Sequence, residues 1–177
     1  MAMTEINVRR FSVTSSKKLQ NIVAAFEAAI GHPDMDAFRK KAVAATTFAE
    51  LETIVREATG PSDLMEFTRM NFGMVLRKQI GDSARQSIRF VVGNPLVASA
   101  MIRHVPDAGS YVPVTILIDE REDGVRLSYD RTSSFVASYG NSEVLKVAQD
   151  LDSKVEALLT AAASETRVPP MESMSDL

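Results

Sequence analysis

Over residues 8–14, apolar Phe11 and Val13 alternate with polar neighbours, the period of two that a half-buried strand requires. The period then changes. Leu19, Ile22, Val23, Phe26 and Ile30 recur three and four positions apart on one helical face, with Ser15 or Ser16 as the N-cap and Gly31 at the C′ position. Helical spacing continues over residues 34–60 with a break near Thr46. Thr47-Phe48-Ala49-Glu50 reads as a capping box, and Gly60-Pro61 stops the second helix. Residues 64–71 satisfy either period; Met65 and Phe67 alternate with Glu66 and Thr68, which favours a strand. A short helix is expected over residues 73–80 and a clearer strand over 87–92, with Ile88, Phe90 and Val92 on one face.

That strand runs into Gly93-Asn94-Pro95. Asn94 suits an N-cap and Pro95 the first helical position, where its missing N–H costs nothing, so a helix should open here and end before Pro106 and Gly109. Residues 114–120 and 125–130 form a hairpin around Asp123-Gly124. A four-residue loop, 121–124, pairs Ile118 with Leu127, Ile116 with Tyr129 and Asp119 with Arg126, joining apolar side chains and opposing unlike charges. A last helix, capped by Ser142, carries Val144, Val147, Ala148, Leu151, Val155, Leu158 and Leu159 along one stripe. The expected fold is a two-layer α+β domain: a mostly antiparallel sheet with a β-hairpin, packed by N-terminal and C-terminal amphipathic helices.

The chain of 177 residues suits one domain, expected over residues 1–163, with a helical insertion at about 35–60 and a mobile tail over 164–177. Its hydrophobic fraction of 45% and charged fraction of 24% exclude collagen and wholesale disorder. Cysteine is absent, which removes disulfides, thiolate nucleophiles and cysteine-held metals; two histidines leave little for other metal chemistry, so neither a metal nor a cofactor is expected. The net charge of −3 divides into +3 over residues 1–90 and −6 over the rest, and the basic residues are scattered in short groups, which argues against a nucleic-acid groove. No apolar stretch resembles a signal or a membrane span, so the expected location is the cytoplasm.

The run Phe90 to Pro95, then Met101, Pro106, Tyr111-Val112-Pro113, Thr115 to Glu120 and Gly124 to Tyr129, resembles the bacterial and archaeal domain of unknown function 302. The likeness is strongest over residues 88–160 and looser over 8–30. It implies a helix packed on an antiparallel sheet and a tendency to form dimers, but no activity. Many relatives carry Ile-Asp-His at the end of the second strand. Here Arg69-Met70-Asn71-Phe72 has no histidine, so no histidine-dependent role carries over.

Gly93-Asn94-Pro95 is the sharpest local feature, since a glycine-bearing strand exit onto a helix N-terminus can cradle an anion. The simpler reading is a turn and cap. Tyr129, at the hairpin's end, either meets Asn94 around a small polar ligand or packs its ring in the core with its hydroxyl tethered. His104 with Asp107 reads most simply as a helix-end histidine, and His32 as turn chemistry. Asp119 and Glu120 point to opposite faces and cannot act as a dyad. The leading expectation is a non-enzymatic homodimeric module that binds a small anionic or polar ligand through Gly93, Asn94, Pro95 and Tyr129. One alternative is an enzyme using His104, Asp107, Tyr129 or Arg126; another is a purely structural homodimer.

Overall fold

The computed structural model describes Met3 and residues 5–164, so the expected tail lies outside the described residues except for Ser164. Five strands form one antiparallel sheet in the order β1-β5-β4-β3-β2: β1 Arg10–Ser15, β2 Met65–Asn71, β3 Ser87–Gly93, β4 Val114–Arg121 and β5 Gly124–Asp130. The helices are α1 Leu19–Glu27, α2 Met35–Ala44, α3 Phe48–Ala58, α4 Phe72–Ile80, α5 Pro95–Ile102, α6 Thr132–Val136 and α7 Ser142–Ala163. The α+β fold is as the periodicity predicts, and the ambiguous segment before Asn71 is the edge strand β2, with a bulge between Glu66 and Thr68.

Register assigns the faces. Phe90, Ile116 and Tyr129 stand on one rung and Ile118 and Leu127 on the next, and all five are at most 1% exposed beneath α1 and α7. Ile22 and Phe26 of α1 are fully buried there, and the Phe26 ring lies 5.0 Å from that of Phe90. Burying each such side chain contributes about 1.5–3 kcal/mol. The alternate residues point the other way, where no helix layer covers the sheet among the described residues. One rung of this open face runs Ser12, Ser128, Leu117, Arg89, while the neighbouring pairs are Arg10 with Asp130 and Val91 with Thr115.

Several local expectations change in detail. The hairpin has the favoured register, yet its turn is tighter: pairing continues to Arg121 and Gly124, leaving Glu122 and Asp123 as the loop. Gly124, at φ 125°, accepts a conformation that a side chain resists, and an added Cβ would lie 2.5 Å from the Ser15 carbonyl oxygen. Ser15 is not the α1 cap; its hydroxyl donates to the Ala163 carbonyl at 2.7 Å and thereby ties β1 to the end of α7. Asn141, rather than Ser142, caps α7, accepting from Val144 N at 3.0 Å. Thr47 does cap α3, but Glu50 returns to Thr46 N at 2.7 Å, one residue earlier than a standard capping box.

Gly31 does not terminate α1, which ends at Glu27 with Ala28 as its C-cap. It packs against the α3 exit instead. An added Cβ would sit 2.0 Å from the Ala58 carbonyl oxygen, and Gly31 N donates to Leu64 O at 2.8 Å. Among the described residues, no helix is long and apolar enough to cross a membrane.

Candidate functional site

The Gly93-Asn94-Pro95 turn is built as its residue types demand, and the building consumes its polar groups. Asn94 caps α5 by accepting from Leu96 N at 2.8 Å, while its amide donates to Asp63 O at 3.1 Å and Asp63 Oδ1 at 3.0 Å. Asp63, at the positive φ of 58°, is also held by Lys154 Nζ at 2.8 Å. The adjoining cavity is about 30 Å³, which is water-sized. This turn fastens β3, the approach to β2 and α7 to one another.

Tyr129 is 1% exposed and its hydroxyl is likewise engaged. It donates to Asp152 Oδ1 at 2.6 Å, lies 2.9 Å from Thr132 Oγ1, and accepts from Thr132 N at 3.1 Å. Burial, then the bond to Asp152, pushes the phenol well above its ordinary pKa. Asp152 is fully buried on α7 and accepts from Thr132 N at 2.8 Å and Ser133 N at 3.3 Å, capping the five-residue α6 from a distant element. Arg131 Nε approaches the same carboxyl at 3.5 Å. The structure does not gather Asn94 and Tyr129 around one space. Phe90 shares a rung with Tyr129, whereas Asn94 lies four residues farther along that strand, and the two residues border different cavities.

The larger space, about 570 Å³, lies over the open face of the sheet, within the usual size of a small-molecule site. Its floor carries Arg89, Leu117, Ser128 and Thr115, and it is bordered by Tyr111, Phe135 and Phe72. Tyr111 stacks on Phe135 with centroids 4.8 Å apart and planes 8° apart, and its hydroxyl meets that of Tyr139 at 3.0 Å. That bond, followed by burial, raises the Tyr139 phenol to about 12.

The charges differ in kind. Arg10 grips Asp130 through two bonds, Nε to Oδ1 at 2.6 Å and Nη2 to Oδ2 at 2.8 Å, so the groove's one acid is neutralised. Arg89 is half-buried and has no carboxylate within 4.0 Å among the described residues. Its Nη2 donates to Thr115 Oγ1 at 3.1 Å, and its Nε is sealed from solvent without an acceptor. The Ser110 and Ser128 hydroxyls make no hydrogen bond among the described residues. The groove therefore offers donors and a single uncompensated cation, the composition that receives an anion.

Residues 39–162 match the model of the family described as Domain of unknown function DUF302. The chain belongs to that family. The DUF302 segment supplies every groove residue except Arg10, and it begins inside the 35–60 helical segment. The fold resembles the crystal structure of an uncharacterized conserved DUF302 protein from Bacillus stearothermophilus, with a TM-score of 0.59 over 86% of this chain and 97% of that one. Identity between the two is 10%, so the likeness concerns the fold. No curated protein matches the chain.

The remaining polar residues singled out by sequence occupy other places in this DUF302 chain. His104 Nε2 pairs with Glu143 Oε2 at 3.1 Å, Arg126 reaches Asp123 at 3.2 Å, and Asp107 lies near the Tyr139 phenol. None of these three borders the groove that Tyr129 borders. His32 bonds the Glu27 carbonyl at 2.9 Å and Glu66 at 3.2 Å, beside Arg69, which bridges Glu66 and Glu27 and lies 4.9 Å over the Phe90 ring. This cluster ties the end of α1 to the edge strand. The residue that sequence reasoning missed is Arg89. Its signal was a full charge between Ile88 and Phe90 in a central strand, with no acid in the neighbouring ladder position.

Proposed function

We propose that this chain is a non-catalytic module that binds a small organic anion in the groove over the open face of the sheet. The observation that carries the reading is Arg89, a half-buried guanidinium with no carboxylate partner facing about 570 Å³ of space. Of the four residues expected from sequence, Tyr129 lies along the groove with its hydroxyl bonded to Asp152 in the covered layer, while Gly93, Asn94 and Pro95 line the separate water-sized cavity. Asp130 is held by Arg10, so the groove supplies orientation and charge and keeps its acid occupied. Titration calorimetry with short carboxylates tests it. Arg89→Met should weaken binding about 10- to 100-fold, the loss expected for one charge-assisted contact. Affinity unchanged in Arg89→Met would overturn the reading.

A homodimer is the second reading, and α4 favours it. Phe72, Met74, Val75, Leu76 and Ile80 are 36–61% exposed on one nine-residue helix whose buried residue is Gly73, a density of apolar surface that marks an interaction site. Light scattering should show a dimer whose mass falls to that of one chain in Val75→Glu/Ile80→Glu. A wild-type protein that stays monomeric across the accessible concentrations removes this reading.

A further inference from the structure

Resting on the anion-binding reading above, we infer that the groove's ligand is an aromatic monocarboxylate. Three features of the groove each narrow the class. The first is charge. Arg10 and Asp130 cancel, which leaves Arg89 as one net positive charge. A dianion such as orthophosphate would bring a second charge into a half-buried site with nothing to neutralise it, which is costly away from water.

Geometry of the donors is the second feature. A planar guanidinium meets a carboxylate along matched parallel directions, and Arg89 spends one bond on Thr115, leaving its outward N–H groups open. The Thr115 oxygen accepts from Arg89, so its own proton is free to be donated. The free Ser128 hydroxyl stands one strand beyond Leu117 on the same rung as Arg89. All these groups donate, as a carboxylate requires.

Shape is the third. The Tyr111–Phe135 stack borders the groove near the Thr115 and Asp130 ends of the strands, whereas Phe72 follows the far end of β2, where Asn71 pairs with Ile88. Arg89 and Leu117 lie on the floor between these aromatic boundaries. A ligand anchored at Arg89 thus places its body over Leu117 and against aromatic carbon, and a flat ring gains stacking that a puckered one of equal size does not.

The test uses the full chain in titration calorimetry against four probes: naphthalene-2-carboxylate, its saturated counterpart decahydronaphthalene-2-carboxylate, acetate and orthophosphate. Naphthalene-2-carboxylate should bind about 3- to 10-fold more tightly than the saturated acid, the value of one stacked ring pair. Orthophosphate should bind more weakly than either. Phe135→Leu should remove the preference for the flat acid while leaving acetate affinity in place; Phe72→Leu, at an exposed position, serves the same purpose if the first variant folds poorly. Equal affinity for the flat and saturated acids, or tighter binding of orthophosphate, overturns the aromatic monocarboxylate even when Arg89→Met still weakens acetate. Absence of binding by all four probes, or binding indifferent to Arg89→Met, overturns the anion-binding reading as well.

Discussion

Asp152→Ala is expected to lower the unfolding free energy by about 3–5 kcal/mol, the range for breaking a buried charged or multiply bonded network by removing one partner. In a chain of this length that corresponds to roughly 10 °C in Tm. The reason is that one carboxyl serves several groups at once. Arg131, the residue preceding α6, makes no side-chain cap, so Thr132 N and Ser133 N depend on a carboxyl from α7. Tyr129 would keep its ring in the core but lose the acceptor of its 2.6 Å bond. Alanine removes the acceptor shared by these donors from a fully buried site, leaving Thr132 N only its 3.1 Å bond to the Tyr129 hydroxyl. Tyr129→Phe, which removes one donor and spares the cap, should cost only about 1–2 kcal/mol. Urea unfolding of both variants decides the matter: an Asp152→Ala loss no larger than that of Tyr129→Phe would show that the α6 cap contributes little.

Gly31→Ala should be comparably damaging for a different reason. The new methyl would lie 2.0 Å from the Ala58 carbonyl oxygen and 2.9 Å from Gly60 N, and both are backbone atoms that cannot swing aside. The same contact is lined from the other side by Gly60, where an added Cβ would meet Ile30 C at 2.3 Å. Relief requires the exits of α1 and α3 to separate, which pulls on three bonds: Gly31 N and Gly60 N both to Leu64 O, and Glu66 N to Gly31 O. A cost at or above the usual 1–3 kcal/mol of overpacking is expected. Gly81→Ala is the control, since nothing lies within 4 Å of a Cβ there, although its φ of 74° carries its own smaller strain. Thermal unfolding with Gly31→Ala no worse than Gly81→Ala would refute the close-approach argument.

The elements were legible where one face of a segment is dry and the other wet. The hairpin register followed from alternation because a slip of one residue would have turned Ile116, Ile118 and Leu127 to the open face. The turn that closes it was less legible, since two and four loop residues are compatible with similar sequence signals. Asp152 was hidden inside the α7 stripe: between Leu151 and Val155 an aspartate reads as an ordinary solvent-facing position, and only the placement of α6 over that helix gives its carboxyl a purpose. The groove was harder still. Arg89, Ser128 and Tyr111 are far apart in the chain, and their proximity depends on β3, β4 and β5 being neighbours in register. The Gly93-Asn94-Pro95 motif was legible as backbone chemistry, and that chemistry is what occupies its donors.

The sheet closes between its most distant parts. β1 pairs with β5 so that Arg10 meets Asp130 across 120 positions, and Ser15 is bonded to Ala163 across 148. Closing such long loops is entropically expensive and slows folding relative to local pairing. During synthesis β1 must wait, with Phe11 and Val13 uncovered, until β5 has left the ribosome. Chains truncated before β5 would therefore carry an orphan β1, lacking the one strand with which it pairs among the described residues.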